Sequence, residues 1–97
     1  GPNACPTDYP SLTMKSASLS KDNKAMLTTV AAKLKEKPSC TITLTAYPKA
    51  DKRQQALADK KLEAIKKYLV ETLGISEDRI ATDKVIDGGD ANTIDIK

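Results

Sequence analysis

Apolar residues recur with a helical period across residues 51–74, where Ala58, Leu62, Ile65, Leu69 and Leu73 advance in steps of three or four. Side chains so spaced share one stripe of a helix and predict a core-facing edge. Asp59, Lys60, Glu63, Lys66, Lys67 and Glu71 fall outside the stripe and predict a solvated face. Glu63 precedes Lys67 by one helical turn, in the order that adds about 0.2–0.5 kcal/mol to a helix. Gly74 follows the last apolar turn, where a left-handed residue commonly closes a helix and glycine takes that conformation without penalty.

The remaining elements follow from the same two periodicities. Leu12 and Met14 alternate with Thr13 and Lys15, predicting a short half-buried strand over residues 11–15. Ser20 offers a capping oxygen, and Met26, Leu27, Val30, Ala31 and Leu34 continue at helical spacing until Pro38 forbids another turn. Strict alternation over residues 41–47 points Ile42, Leu44 and Ala46 one way and Thr41, Thr43, Thr45 and Tyr47 the other. Pro48 ends that strand, because proline cannot donate to a ladder. After Gly74, residues 76–78 read as a short turn, 79–85 as a strand, 87–92 as a turn, and 93–97 as a strand alternating Ile94 and Ile96 with polar neighbours. Two strands joined by a helix should run parallel with a right-handed crossover. The order βαβαββ therefore predicts an α+β fold, a two-layer α/β sandwich with both helices on one face of a mixed four-stranded sheet.

Composition narrows the functional classes. A chain of 97 residues forms one core, and with no Phe or Trp and three Tyr that core must be aliphatic. Sixteen Lys and Arg against thirteen Asp and Glu leave +3, spread without a long run of one sign, which argues against a nucleic-acid partner. No apolar run approaches the length that spans a bilayer, so this segment is not expected to insert in a membrane. Cys5 and Cys40 occur with no histidine, so a zinc site lacks ligands and no metal or other cofactor is expected. The two cysteines form a disulfide or remain free thiols; the disulfide is the favoured reading, and closing that loop would contribute about 3–4 kcal/mol in the chain-entropy model. It would suit an oxidising compartment, a periplasm or the extracellular space. Gly1 and Pro2 resemble a protease-cleavage scar, so residues 1–10 read as a remnant plus an irregular arm and 11–97 as the domain, excised from a longer protein.

Several stretches taken together resemble the OmpA-like domain, the periplasmic module found at the C-terminus of outer membrane protein A and in related lipoproteins and motor proteins. SLTMKSASLSKDNKAMLTTVAAKLKEKP is similar to the family's opening strand, capped loop and first helix. TITLTAYPK stands where the family has its second strand, LADKKLEAIKKYLVETLGISEDRI resembles its Leu-Ser, Arg-Ala, Tyr-Leu, Gly-Ile and Arg-Ile pattern, and TIDIK its closing strand. The resemblance implies peptidoglycan binding through a carboxylate after the second strand and an arginine early in the second helix, which together grip the amine and carboxylate of diaminopimelate. On this chain Lys49 occupies the aspartate's position and Lys61 the arginine's, with Tyr47 at the aromatic position, Pro48 at the threonine, and Asn92 and Thr93 where arginines precede the last strand. Lysine keeps the charge but loses the planar fork that holds a carboxylate bidentately. The loop over residues 49–57 is shorter than the family's usual one, and Asp51 supplies the missing acid if it slides by two residues; otherwise Asp51 is an exposed loop aspartate, and Lys61 a solvated helix lysine whose stem packs beside the stripe.

An enzyme is the least supported class, because neither cysteine nor any serine has a plausible base partner. The DGGD turn lacks the alternating oxygen ligands and closing glutamate of a calcium loop. Two noncatalytic expectations remain: an envelope domain that contacts peptidoglycan atypically through Tyr47, Lys49, Asp51, Lys61 and Asn92, or a protein-interaction or spacer module that has lost wall binding. Both place the chain in the periplasm, as part of an outer-membrane protein or lipoprotein.

Overall fold

The computed structural model describes residues 4–97, so the expected scar at Gly1 and Pro2 lies outside the described residues. Strand β1 (Leu12–Thr13) leads to helix α1 (Lys21–Glu36), strand β2 (Ile42–Ala46), helix α2 (Lys52–Lys67), strand β3 (Ile80–Lys84) and strand β4 (Thr93–Ile96). The sheet order is β1-β4-β2-β3, with β2 and β3 parallel across α2 and the other two pairs antiparallel. One cluster joins Leu12, Ile42, Leu44, Ala46, Ile80, Ile94 and Ile96 of the strands to Leu27, Val30 and Leu34 of α1 and Leu62, Ile65 and Leu69 of the second helical segment. Both helices therefore cover the same face of the sheet, and the expected sandwich is the one that forms.

Each helix starts where a side chain satisfies its free amides. Ser20 Oγ accepts from the Asn23 amide at 3.0 Å while Asn23 Oδ1 accepts from the Ser20 amide at 3.0 Å, a reciprocal capping box. Asn23 is also buried and donates from Nδ2 to the Thr13 carbonyl at 3.2 Å, fastening α1 to β1. The long helical segment is not uniform: α2 ends at Lys67 and the next turn, Tyr68–Thr72, widens so that the Leu73 amide bonds the Tyr68 carbonyl. Gly74 then takes φ +74°, and the Ile75 amide reaches back to Leu69 at 2.9 Å, closing the helix as its glycine predicted.

Other expectations need correction. Met26 sits 38% exposed on the outer side of α1, because the apolar stripe is centred on Leu27, Val30 and Leu34. The strands are shorter than the alternating stretches: β1 keeps two residues, and β3 stops at Lys84 with Val85 exposed. Residues 77–79 form a single 3-10 turn, one residue later than the turn expected at 76–78. Arg79 thereby leaves the strand and donates from Nε to the Cys40 carbonyl at 2.9 Å and from one terminal nitrogen to the Leu34 and Lys37 carbonyls at 2.7 and 2.8 Å. A cation there satisfies carbonyls at the C-terminal end of α1, where the helix dipole favours positive charge.

Cys5 and Cys40 are joined, with their Cα atoms 5.6 Å apart. The bridge pins an irregular arm, residues 5–10, against the end of α1. Tyr9 packs on the core beneath the Lys33 ammonium, 5.4 Å from the ring centroid, and Lys33 also lies 3.5 Å from Asp8. The Tyr9 hydroxyl has no hydrogen-bond partner among the described residues. Burial also raises the Tyr9 phenol above its ordinary pKa, with Arg79 opposing and Asp8 assisting.

Candidate functional site

Four of the five expected site residues meet along the loop that joins β3 to β4, at the C-terminal end of β2. Tyr47 follows the last residue of β2, and its ring lies against Gly88 and Gly89. A Cβ on Gly88 would come within 2.4 Å of Val85 Cγ1 and 3.1 Å of Tyr47 Cδ1, so the loop can settle this closely only with glycine there. Next along the chain, Lys49 Nζ stands 3.7 Å from Asp87 Oδ1, and the Asp87 amide bonds the Pro48 carbonyl at 2.9 Å. Both side chains of that ion pair are more than half exposed, so it contributes about 0–1 kcal/mol. Asn92 closes the loop: its amide donates to Asp90 Oδ1 at 2.7 Å, and its carbonyl accepts from Met14 at 2.7 Å.

Lys61 departs from the expectation of a solvated helix lysine. The residue is only 3% exposed, and its ammonium donates to the Ala91 carbonyl at 3.3 Å, beneath the loop. Burial pushes its pKa below the ordinary lysine value, and the nearby Asp90 carboxylate opposes that shift in part. It is neither a solvated helix lysine nor an open ligand group. Its position was readable, since Lys61 stands three residues after Ala58 and four before Ile65 and so borders the buried stripe.

Asp51 does not join the others. It is the N-cap of α2, and its Oδ1 accepts from the Gln54 amide at 2.8 Å. The capping oxygen satisfies one of the amides that the first turn leaves open. The spacing of Asp51 to Gln54 carried that signal, because an acid followed three residues later by Gln or Glu marks a helix start. The slide that would make Asp51 the missing acid of a clamp is therefore opposed by its place in the helix.

A second polar group, unforeseen in the sequence, lies on the sheet face away from the helices. The Asp95 carboxylate accepts from the Tyr47 hydroxyl on one oxygen and from Ser11 Oγ, at 2.6 Å, on the other. These bonds, Ser11 first and Tyr47 second, hold Asp95 below the ordinary carboxylate pKa, with Lys97 assisting and burial opposing. The Asp95 bond in turn raises the Tyr47 phenol, and burial adds to the shift. Only the sheet order could reveal this cluster, because Ser11 and Asp95 become neighbours through the β1–β4 pairing.

The arrangement is suited to fastening a loop. Among the described residues no three His, Cys, Asp or Glu side chains converge as metal ligands. Open clefts of about 410 and 230 Å³ lie along the helical layer and one of about 250 Å³ lies between α2 and β3, all lined by residues other than Tyr47, Lys49 and Lys61.

The sequence profile of the OmpA family matches residues 14–95. Among solved structures, the chain is similar to the OmpA-like domain of FopA1 from Francisella tularensis subsp. tularensis SCHU S4, with a TM-score of 0.75 and 18% identity over 89% of this chain and 68% of that one. At that identity the likeness establishes the fold alone. No curated protein sequence matches the chain.

Proposed function

Since the chain belongs to the OmpA family, whose domains generally associate with peptidoglycan, we propose that it is a noncatalytic module of the bacterial cell envelope whose ligand clamp has become an internal fastening. It serves in the periplasm, within an outer-membrane protein or lipoprotein, as a protein-interaction or spacer domain. One observation carries this reading: Lys61, at the position of the family's ligand-binding arginine, is buried on the Ala91 carbonyl. A carboxylate ligand would have to displace the loop before reaching that ammonium, and the acidic side chains around it are already engaged, Asp87 with Lys49, Asp90 with the Asn92 amide and Asp95 with Tyr47 and Ser11. Lys49 occupies the acid's position and carries the wrong sign, while Asp51 is committed to the α2 amides. The Cys5–Cys40 bridge supports an oxidising compartment. No helix among the described residues is long and apolar enough to cross a membrane, so this segment offers no helical anchor.

Tyr47, Lys49, Lys61 and Asn92 nonetheless share one rim, which supports a second reading in which remodelled contacts still touch the wall. Co-sedimentation with purified diaminopimelate-type sacculi separates the two. The proposal expects the domain to remain in the supernatant at physiological salt. Sedimentation that Lys61→Ala abolishes, in a variant that keeps its fold, would establish wall binding through this rim instead.

A further inference from the structure

The arm formed by residues 5–10 is tied to the sandwich by one covalent bond and weak company. Its bridge joins two unlike residues: Cys5 is exposed, whereas Cys40 is 1% exposed within the core cluster. Its other attachments are few: the Tyr9 ring packs on the core with the Lys33 ammonium 5.4 Å from its centroid, the Tyr9 hydroxyl has no partner among the described residues, and the Asp8 side chain that faces Lys33 at 3.5 Å is 84% exposed. Past the arm, the hold changes character, because Leu12 is fully buried and paired with Ile94, and Ser11 is bonded to Asp95.

We propose that the Cys5–Cys40 bridge is a thiol-exchange site that opens at Cys5 and releases the arm while the sandwich stays folded. An external thiolate attacks Cys5 Sγ, the sulfur carried by the exposed residue of the pair. A new S–S bond forms there as the Cys5–Cys40 bond breaks, and the electron pair leaves with the Cys40 sulfur, which then takes a proton from solvent. If the attacking group belongs to a dithiol, its second thiolate attacks its own sulfur in the mixed disulfide and expels Cys5, which is protonated in turn. The dithiol is oxidised by two electrons and the bridge is reduced to two thiols.

Release is local because the arm lies outside the elements that make the core. Cys5 contributes nothing to the buried cluster, and Cys40 keeps its amide bond to the Lys37 carbonyl at 3.0 Å and its carbonyl bond to Arg79. The freed arm carries Cys5 away from a Cys40 that stays in place, so oxidation can restore the same pair. The ligand class is a small thiol or dithiol, and a thiol-bearing partner would be captured on Cys5.

The test exposes the oxidised chain to glutathione, quenches with acid and maps the mixed disulfide by peptide mass. Glutathione should be found on Cys5 at least tenfold over Cys40; equal labelling or preference for Cys40 would overturn the proposal. In parallel, the chain reduced with dithiothreitol is compared with the oxidised chain by amide spectra. Residues 5–10 should fall from rigid order parameters near about 0.85 to below about 0.6, while the strand amides keep their shifts. A Cys5→Ser variant should reproduce that spectrum without reductant. An arm that remains ordered after reduction, or a loss of dispersion throughout the chain, would each refute a releasable strap.

Discussion

Arg79→Met removes the cation that ties the end of α1 to the start of β2, and its cost can be worked from the contacts. Three carbonyls lose a charged donor, at Leu34, Lys37 and Cys40. Hydrogen bonds to charged groups contribute about 1.5–3 kcal/mol each in isolation, so a simple sum would exceed 4 kcal/mol by any reckoning. The sum is too large because two of the carbonyls keep an amide donor: Leu34 accepts from Lys37 at 3.3 Å and Lys37 from Cys40 at 3.0 Å. One guanidinium also makes all three bonds, so they are lost as a unit. Cys40 loses its charged partner, and the helix end loses a favourable dipole interaction of about 0.3–1 kcal/mol. The expected loss is about 3 kcal/mol, equivalent to a fall in Tm of about 12–24 °C for a domain of this size. Urea denaturation followed by circular dichroism measures it, with Arg79→Lys falling between because an ammonium cannot reach all three oxygens in one geometry. A loss below about 1 kcal/mol with an unchanged m-value would show that solvent replaces these bonds and that Arg79 is not a structural tie.

Two further predictions concern titrating groups. Tyr47 has a raised phenol pKa and Asp95 a lowered carboxyl pKa, so their contribution is complete between the two ordinary values. It is lost as pH falls through the lowered Asp95 pKa and as pH rises through the raised Tyr47 pKa; Tyr47→Phe should abolish the alkaline loss and weaken the acid one, and identical wild-type and variant profiles would refute the coupling. Lys61 has a lowered pKa, so the folded state binds fewer protons than the unfolded state between that value and the ordinary 10.5, and stability rises with pH across this window. Lys61→Met should lack that rise, read as the difference between urea midpoints of variant and wild type from pH 7 to 10.5, and parallel curves would mean that the ammonium is solvated.

The architecture was legible because it rests on periodicity, whereas the site depended on neighbours that periodicity does not choose. Ala58, Leu62, Ile65 and Leu69 are buried as their spacing requires, and Ile42, Leu44 and Ala46 face the core as their alternation requires. For Lys61 the stem's place beside the buried stripe was legible, but the burial of its ammonium was not, because the carbonyl that receives it comes from the loop above. Asp51 was read for its charge when its spacing to Gln54 described a cap. No local pattern announced Arg79, whose three acceptors lie at the α1–β2 junction, dozens of residues earlier in the chain. The resemblance to the OmpA-like domain reached the fold and the family, while the fate of the family's clamp depended on where the β3–β4 loop rests.

Whether that clamp still works is tested most directly by titrating isotopically labelled domain with soluble diaminopimelate-containing peptidoglycan fragments and following backbone amides. If Lys61 has become a fastening beneath the loop, residues 47–53, 61 and 87–92 keep their shifts up to millimolar fragment. Saturable shifts concentrated at those residues, and lost in Lys61→Ala, would contradict the account.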